Sequence, residues 1–170
     1  MATKEYELGP CTITYAGTDL GDTNGGITVT VEESYASLTT DQNGENPVDE
    51  VVTGTKVTVA GALAEISLEN IASLYKTTVI GTGDSQKVEI KANVGTSLLT
   101  NSDVLIVKPY VGGVVSTAKN DWITLGQAAF KATGALTYNS STQRTLAFTA
   151  TGFPDDSGII ATFGDSAATA

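Results

Sequence analysis

Residues 26–33 read Gly-Ile-Thr-Val-Thr-Val-Glu-Glu, and this stretch decides the fold class. Ile27, Val29 and Val31 alternate with Thr28, Thr30 and Glu32, a period of two that sends successive side chains to opposite faces of a strand. The first trio is expected on a core and the second in water. Shorter runs of the same character occur at 11–15, 56–60, 87–92, 104–108, 122–125, 144–150 and 159–163, each bounded by Gly, Asn or Asp. The chain has 27 threonines, 18 glycines and only four prolines, a composition suited to pleated, half-buried surfaces joined by tight turns. Eight or more strands of this kind predict a mostly β protein, a β-sandwich or barrel-like fold.

One segment departs from the strand period. Leu68, Ile71, Ala72, Tyr75 and Val79 form a helical stripe, Ser67 is placed to cap it, and Glu69 puts a negative charge in the first turn. A single short helix near 67–78 is expected to cover the sheet. At 170 residues the chain is long enough for one domain that buries about 70 % of its unfolded surface. The domain is expected over 1–164, with a flexible tail at 165–170 and a long polar loop at 38–54.

Composition removes several chemistries. The chain has no histidine, which excludes serine–histidine catalysis and histidine-based zinc sites. Cys11 is the one cysteine, so neither an internal disulfide nor a thiolate cluster can form. Glu32-Glu33, Asp49-Glu50 and Asp155-Asp156 are sequence neighbours, which a strand sends to opposite faces, so no pair is placed to flank a substrate. Asp41-Gln42-Asn43-Gly44-Glu45-Asn46 has its glycine fourth, whereas a calcium loop of the EF-hand type needs it sixth with a glutamate twelfth. A polar turn between two strands is the better reading, with a loose calcium site as the lesser one. No phosphate-binding glycine pattern follows any strand. The expectation is a protein that is not an enzyme and takes no cofactor.

Charge is uneven along the chain. The net charge is −10, and residues 1–55 hold ten acids against one base, Lys4, while residues 56–170 hold nine acids and eight bases. Such an acidic chain is poorly suited to grip nucleic acid or an anionic bilayer. No run approaches the roughly 18 apolar residues of a membrane span. The N-terminus lacks an apolar stretch of signal-peptide length, so folding in a reducing cytosol, without a membrane, is expected.

Several residue strings, taken in order, resemble the tail tube (major tail) proteins of long-tailed bacteriophages. They are Gly17-Thr18-Asp19-Leu20-Gly21 ahead of the strand 26–33, Asp41-Gln42-Asn43-Gly44 with Pro47-Val48-Asp49, and Ala64-Glu65 entering the helix. Later come Trp122-Ile123-Thr124-Leu125 with Ala128-Ala129-Phe130, then 144–148, Phe153-Pro154-Asp155 and 158–165. Residues 87–116 carry strands without any of the family's motifs. The resemblance implies a virion protein, assembled in the host cytoplasm, whose copies close into hexameric rings stacked as a tube. Other tail proteins would bind the tube ends, and double-stranded DNA would pass through during ejection without specific binding. It also implies that each subunit lends a wet sheet face to the lumen. The strand phase selects Thr28, Thr30 and Glu32 for that face, joined by Lys56, Thr58, Thr145 and Thr149. A negative wall there would repel DNA and let it slide. The acidic loop, with Asp41, Gln42, Asn43, Glu45, Asn46, Pro47, Asp49 and Glu50, is expected to lie on a neighbouring subunit. Two other readings stay open: an acidic sandwich used for binding or adhesion, and a phage head decoration protein.

Overall fold

The computed structural model describes residues 9–131, 136, 138 and 140–169. The parts of the expected domain and tail that fall at 1–8, 132–135, 137, 139 and 170 lie outside the described residues. The strands are β1 (Cys11–Tyr15), β2 (Thr18–Asp19), β3 (Thr23–Thr39) and β4 (Pro47–Leu63), followed by the helix α1 (Leu68–Leu74). Then come β5 (Val79–Thr82), β6 (Ser85–Val88), β7 (Asp103–Val111), β8 (Val114–Val115), β9 (Ile123–Lys131), β10 (Leu146–Gly152) and β11 (Thr162–Phe163). The protein is mostly β with one short helix.

All the pairings are antiparallel, and the main sheet runs β2-β1-β7-β9-β10-β4-β3, with β8 on β7 and β11 on β9. The sheet coils until its two ends meet, as the Thr23 hydroxyl at the start of β3 donates to the Cys11 carbonyl of β1 at 3.2 Å. The core fills this coil, with Ile13, Tyr15, Leu105 and Val107 from one half against Val57, Val59, Leu63, Phe130 and Phe148 from the other. Tyr15, Phe130 and Phe148 stack edge to face at centroid distances of 4.6 and 5.5 Å. Gly61 permits a close approach of β3 to β4, since a Cβ there would collide with Ile27 Cδ1.

The helix is shorter than its stripe suggested. Ser67 caps it by accepting from the Asn70 amide at 3.0 Å, and the chain leaves the helix at Tyr75. Its buried residues are Asn70, Ala72 and Leu74, so the stripe is shifted from the expected Leu68 and Ile71, which are only half buried. Asn70 explains the shift, because its amide donates to the carbonyls of Leu20 (2.8 Å) and Glu65 (3.1 Å) and ties the helix to both neighbouring loops.

Other boundaries also differ from expectation. Of 87–92 only the first two residues are strand, and of 159–163 only the last two. Conversely β9 runs on past Leu125, through Gly126, Gln127, Ala128 and Ala129, to Lys131. The described part of the expected tail holds a turn in which Asp165 accepts from the Ala167 amide and faces Lys119 at 3.9 Å.

Candidate self-assembly surface

The most consequential difference lies in residues 38–54. The expected loop is mostly strand, because β3 and β4 are 17 residues each and pair out to Thr39↔Pro47, which leaves only 40–46 as the connection. Strand propensity extends the pairing wherever two chains stay in register, and Asn43-Gly44 supplies the turn, with Gly44 at φ 60° in the left-handed region. The turn closes on itself through Asn43 N–H to Thr40 O (3.0 Å) and Asn46 N–H to Asn43 O (3.3 Å). Pro47 begins β4 and Asp49 and Glu50 lie in it, whereas Asp41, Gln42, Asn43, Glu45 and Asn46 form the tip.

This hairpin has a root and an arm. In the root, Ile27 and Val29 rest on the core opposite Gly61 and Val59. The core ends at the Val31↔Val57 pair: Val57 is 3 % exposed, but Val31, on the sheet's last strand, is 50 % exposed. The expectation that Val31 is buried with Ile27 and Val29 is thus corrected. The segment 158–163 flanks it, through Ile159 and Phe163 across an open cleft. Beyond this level every residue of both strands is exposed.

Two bulges, at Ser34/Tyr35 and Leu38/Thr39, add an extra residue to β4 and twist the arm. Tyr35 pairs with Val52 on one face, and Ala36 with Val51 on the other. Tyr35, Leu38, Val51 and Val52 are about half exposed, an apolar set with nothing among the described residues to cover it. The Tyr35 phenol donates to Glu33 at 2.6 Å, and that bond to a carboxylate raises its pKa. Ser37 donates to Glu50 at 3.3 Å. Residues 33–53 hold five acids and no base.

The register brings the expected lumen residues onto one sheet face. Thr28 pairs with Ala60, Thr30 with Thr58, and Glu32 with Lys56, while Thr149 pairs with Ala60 across the other edge of β4. Thr145 lies just before β10, in phase with Thr149 but at the end of the sheet remote from Glu32. The expected negative wall is not what this face carries. Glu32 and Lys56 form a cross-strand ion pair at 3.6 Å, and Lys131 stands opposite Thr149. On the body of the face the wet groups are threonine hydroxyls, a self-compensated pair and Lys131, and the excess acid sits on the arm instead.

A second feature lies at the other end of β4, where it runs into α1. Beyond the helix, β5 and β6 form a separate hairpin on a Gly83-Asp84 turn, and residues 89–100 are exposed irregular backbone. Two adjoining cavities of about 240 and 370 Å³ lie between this excursion and the sheet end, sharing Tyr75, Lys76 and Asn93. Leu74, Leu98 and Phe130 line the first, and Ile90 and Lys91 the second. Sequence reasoning marked the arm as an acidic loop at 38–54 but not as a paired hairpin, and did not find this groove; the Asn43-Gly44 pair between β-branched runs was the available signal for the hairpin.

Trp122 is engaged rather than displayed: its Nε1 donates to Ser116 O at 2.9 Å and Lys108 Nζ sits 4.7 Å from the ring centroid. Among the described residues no group of three or more His, Cys, Asp or Glu side chains gathers to hold a metal ion. No helix there is long and apolar enough to cross a membrane. No protein-family profile matches the chain, and no curated protein matches it.

Proposed function

We propose that the chain is a structural subunit that assembles with copies of itself, as a tail tube protein of a long-tailed phage. Six copies close a ring, rings stack into a hollow tube in the virion, other tail proteins bind the ends, and the genome passes through. The observation that carries this reading is the arm. A two-stranded hairpin is at best marginally stable in water, and this one projects beyond the core with apolar side chains on both faces. Such an element is completed by another surface. β3 supports the reading further, since it ends the strand order and its outer edge pairs with no strand among the described residues beyond its start. The rest of this 17-residue edge is unprotected and a template for a neighbouring strand.

In this arrangement the channel wall is the face of Thr28, Thr30, Thr58 and Thr149. Hydroxyls and closed Glu32–Lys56 pairs make up most of this wall, and one Lys131 per copy, opposite Thr149, is too sparse a charge to hold DNA, so the strand slides. Sedimentation velocity and negative-stain microscopy of the purified chain test the proposal. Rings or tubes forming without any added cofactor are the expected outcome. A species that stays monomeric at high concentration, with no polymer on the grid, overturns it.

A further inference from the structure

We propose that the arm of one copy seats in the groove between α1 and the 89–101 segment of the next copy, so that each chain carries both halves of a head-to-tail contact. The inference rests on the self-assembly reading and names the surface that receives the arm. Three observations lead to it.

The first is charge. Residues 32–56 hold six acids and one base, half of the net charge of −10 in 25 residues. The groove is lined by Lys76, Lys91 and Lys131, against Glu89 alone. Lys76 already pairs with Asp103 at 3.4 Å, and Glu89 with Lys87 at 2.6 Å. That leaves Lys91 and Lys131, both exposed, with no acidic partner among the described residues. In so acidic a chain, two unpaired lysines, one beside each of the two adjoining cavities, are the natural counterpart of the arm.

The second is apolar surface. The groove presents Leu74, Leu98 and Ile90, and the arm presents Tyr35, Leu38, Val51 and Val52. A cavity of about 240 Å³ exceeds the roughly 150 Å³ that takes a benzene ring, so it holds one arm side chain of Tyr or Leu size.

The third is position. On β4, Leu63 pairs with Leu146 at the end that leads into α1, and Pro47 stands 16 residues away at the arm. Arm and groove are thus at opposite ends of a strand about 55 Å long and cannot meet within one copy. Complementary surfaces at opposite ends make a heterologous contact, which propagates rather than closing a two-fold dimer. Stacking of copies along the strand direction follows.

The test reverses charge on each side. Lys91→Glu with Lys131→Glu, and separately Asp49→Lys with Glu50→Lys, are each expected to raise the concentration needed for polymer about tenfold. The four substitutions together are expected to restore assembly to near the wild-type concentration. All four positions are exposed, so the monomer remains folded, which circular dichroism checks. A carbodiimide cross-link between an arm carboxylate and Lys91, joining ¹⁴N and ¹⁵N copies in a mixed wild-type polymer, is the second expected result. If the lysine variant polymerises like wild type, if the combined variant does not recover, or if no such cross-link joins two copies, the arm seats elsewhere. Wild-type polymer seen in the same runs then leaves the self-assembly reading standing. A wild-type chain that never polymerises overturns both.

Discussion

Val57 and Val52 stand five residues apart on β4, on the same face of one hairpin, and one is 3 % exposed while the other is 50 % exposed. Their residue type, strand and pairing are alike; what differs is the layer across from them. Val57 meets the core of the coiled sheet, whereas Val52 meets solvent beside Tyr35. The comparison teaches that burial in this protein is decided by which residues lie opposite, not by the strand's own composition. It also separates two parts of one element, a root packed on the core and an arm that the core leaves uncovered.

The most drastic way to break the comparison is to remove one side of it. Replacing 35–53 by an Asn-Gly turn, which joins the paired Ser34 and Gly54, is expected to abolish polymer completely. Stability of the monomer should stay within about 0.5 kcal/mol, measured by urea unfolding. A large loss of stability would show that the arm supports the body after all.

Tyrosines sharpen the same contrast. Tyr15 is buried in the body and donates to Ala128 O at 3.2 Å; burial, with the Asp103 charge adding, pushes its pKa up to about 12. The unfolded phenol ionises near pH 10, so the unfolded state gives up its proton first. Stability from this group is complete below about pH 10 and falls by roughly 2–3 kcal/mol as pH rises to about 12. Comparing the unfolding of Tyr15→Phe with wild type across that range isolates the effect, and the variant should show the shallower fall. Tyr35 titrates high because Glu33 holds its proton, and its ionisation should perturb the arm without touching the body.

Valines give an isosteric version. Val59→Thr buries a hydroxyl in the core and should cost about 1–3 kcal/mol in chemical denaturation. The cap sits next in size: Ser67→Ala removes the acceptor for the Asn70 amide and should cost about 1 kcal/mol. Val51→Thr, in the arm, should stay within about 0.5 kcal/mol. Equal effects of the two valine substitutions would erase the distinction between root and arm.

How much of this was legible in the sequence follows the same line. The alternation of 27–32 gives the strand and its faces, and the pairs Thr28↔Ala60, Thr30↔Thr58 and Glu32↔Lys56 realise that phase. Ser67 is a local signal, and it caps the helix as expected. Residues 33–39 and 47–55 lack a clean period because no core selects it, so the arm reads as polar loop although it pairs throughout. Val31 looks like Val29 in sequence and differs only in lying past the end of the core. The groove is invisible for a related reason: Lys76, Lys91 and Lys131 are far apart in the chain and are gathered by the helix end, an irregular excursion and the end of β9. Likewise the Glu32–Lys56 pair neutralises a face that charge counting alone had made negative.

The central claim is that the arm is finished by another copy of the chain. Hydrogen–deuterium exchange, read peptide by peptide on dilute monomer and on assembled protein, tests it most directly. In the monomer, amides of 33–53 should exchange far faster than those of 57–63, because an uncovered hairpin opens readily. On assembly the arm should gain protection comparable to the root while the root changes little. Arm amides that exchange equally fast in monomer and polymer would contradict the account.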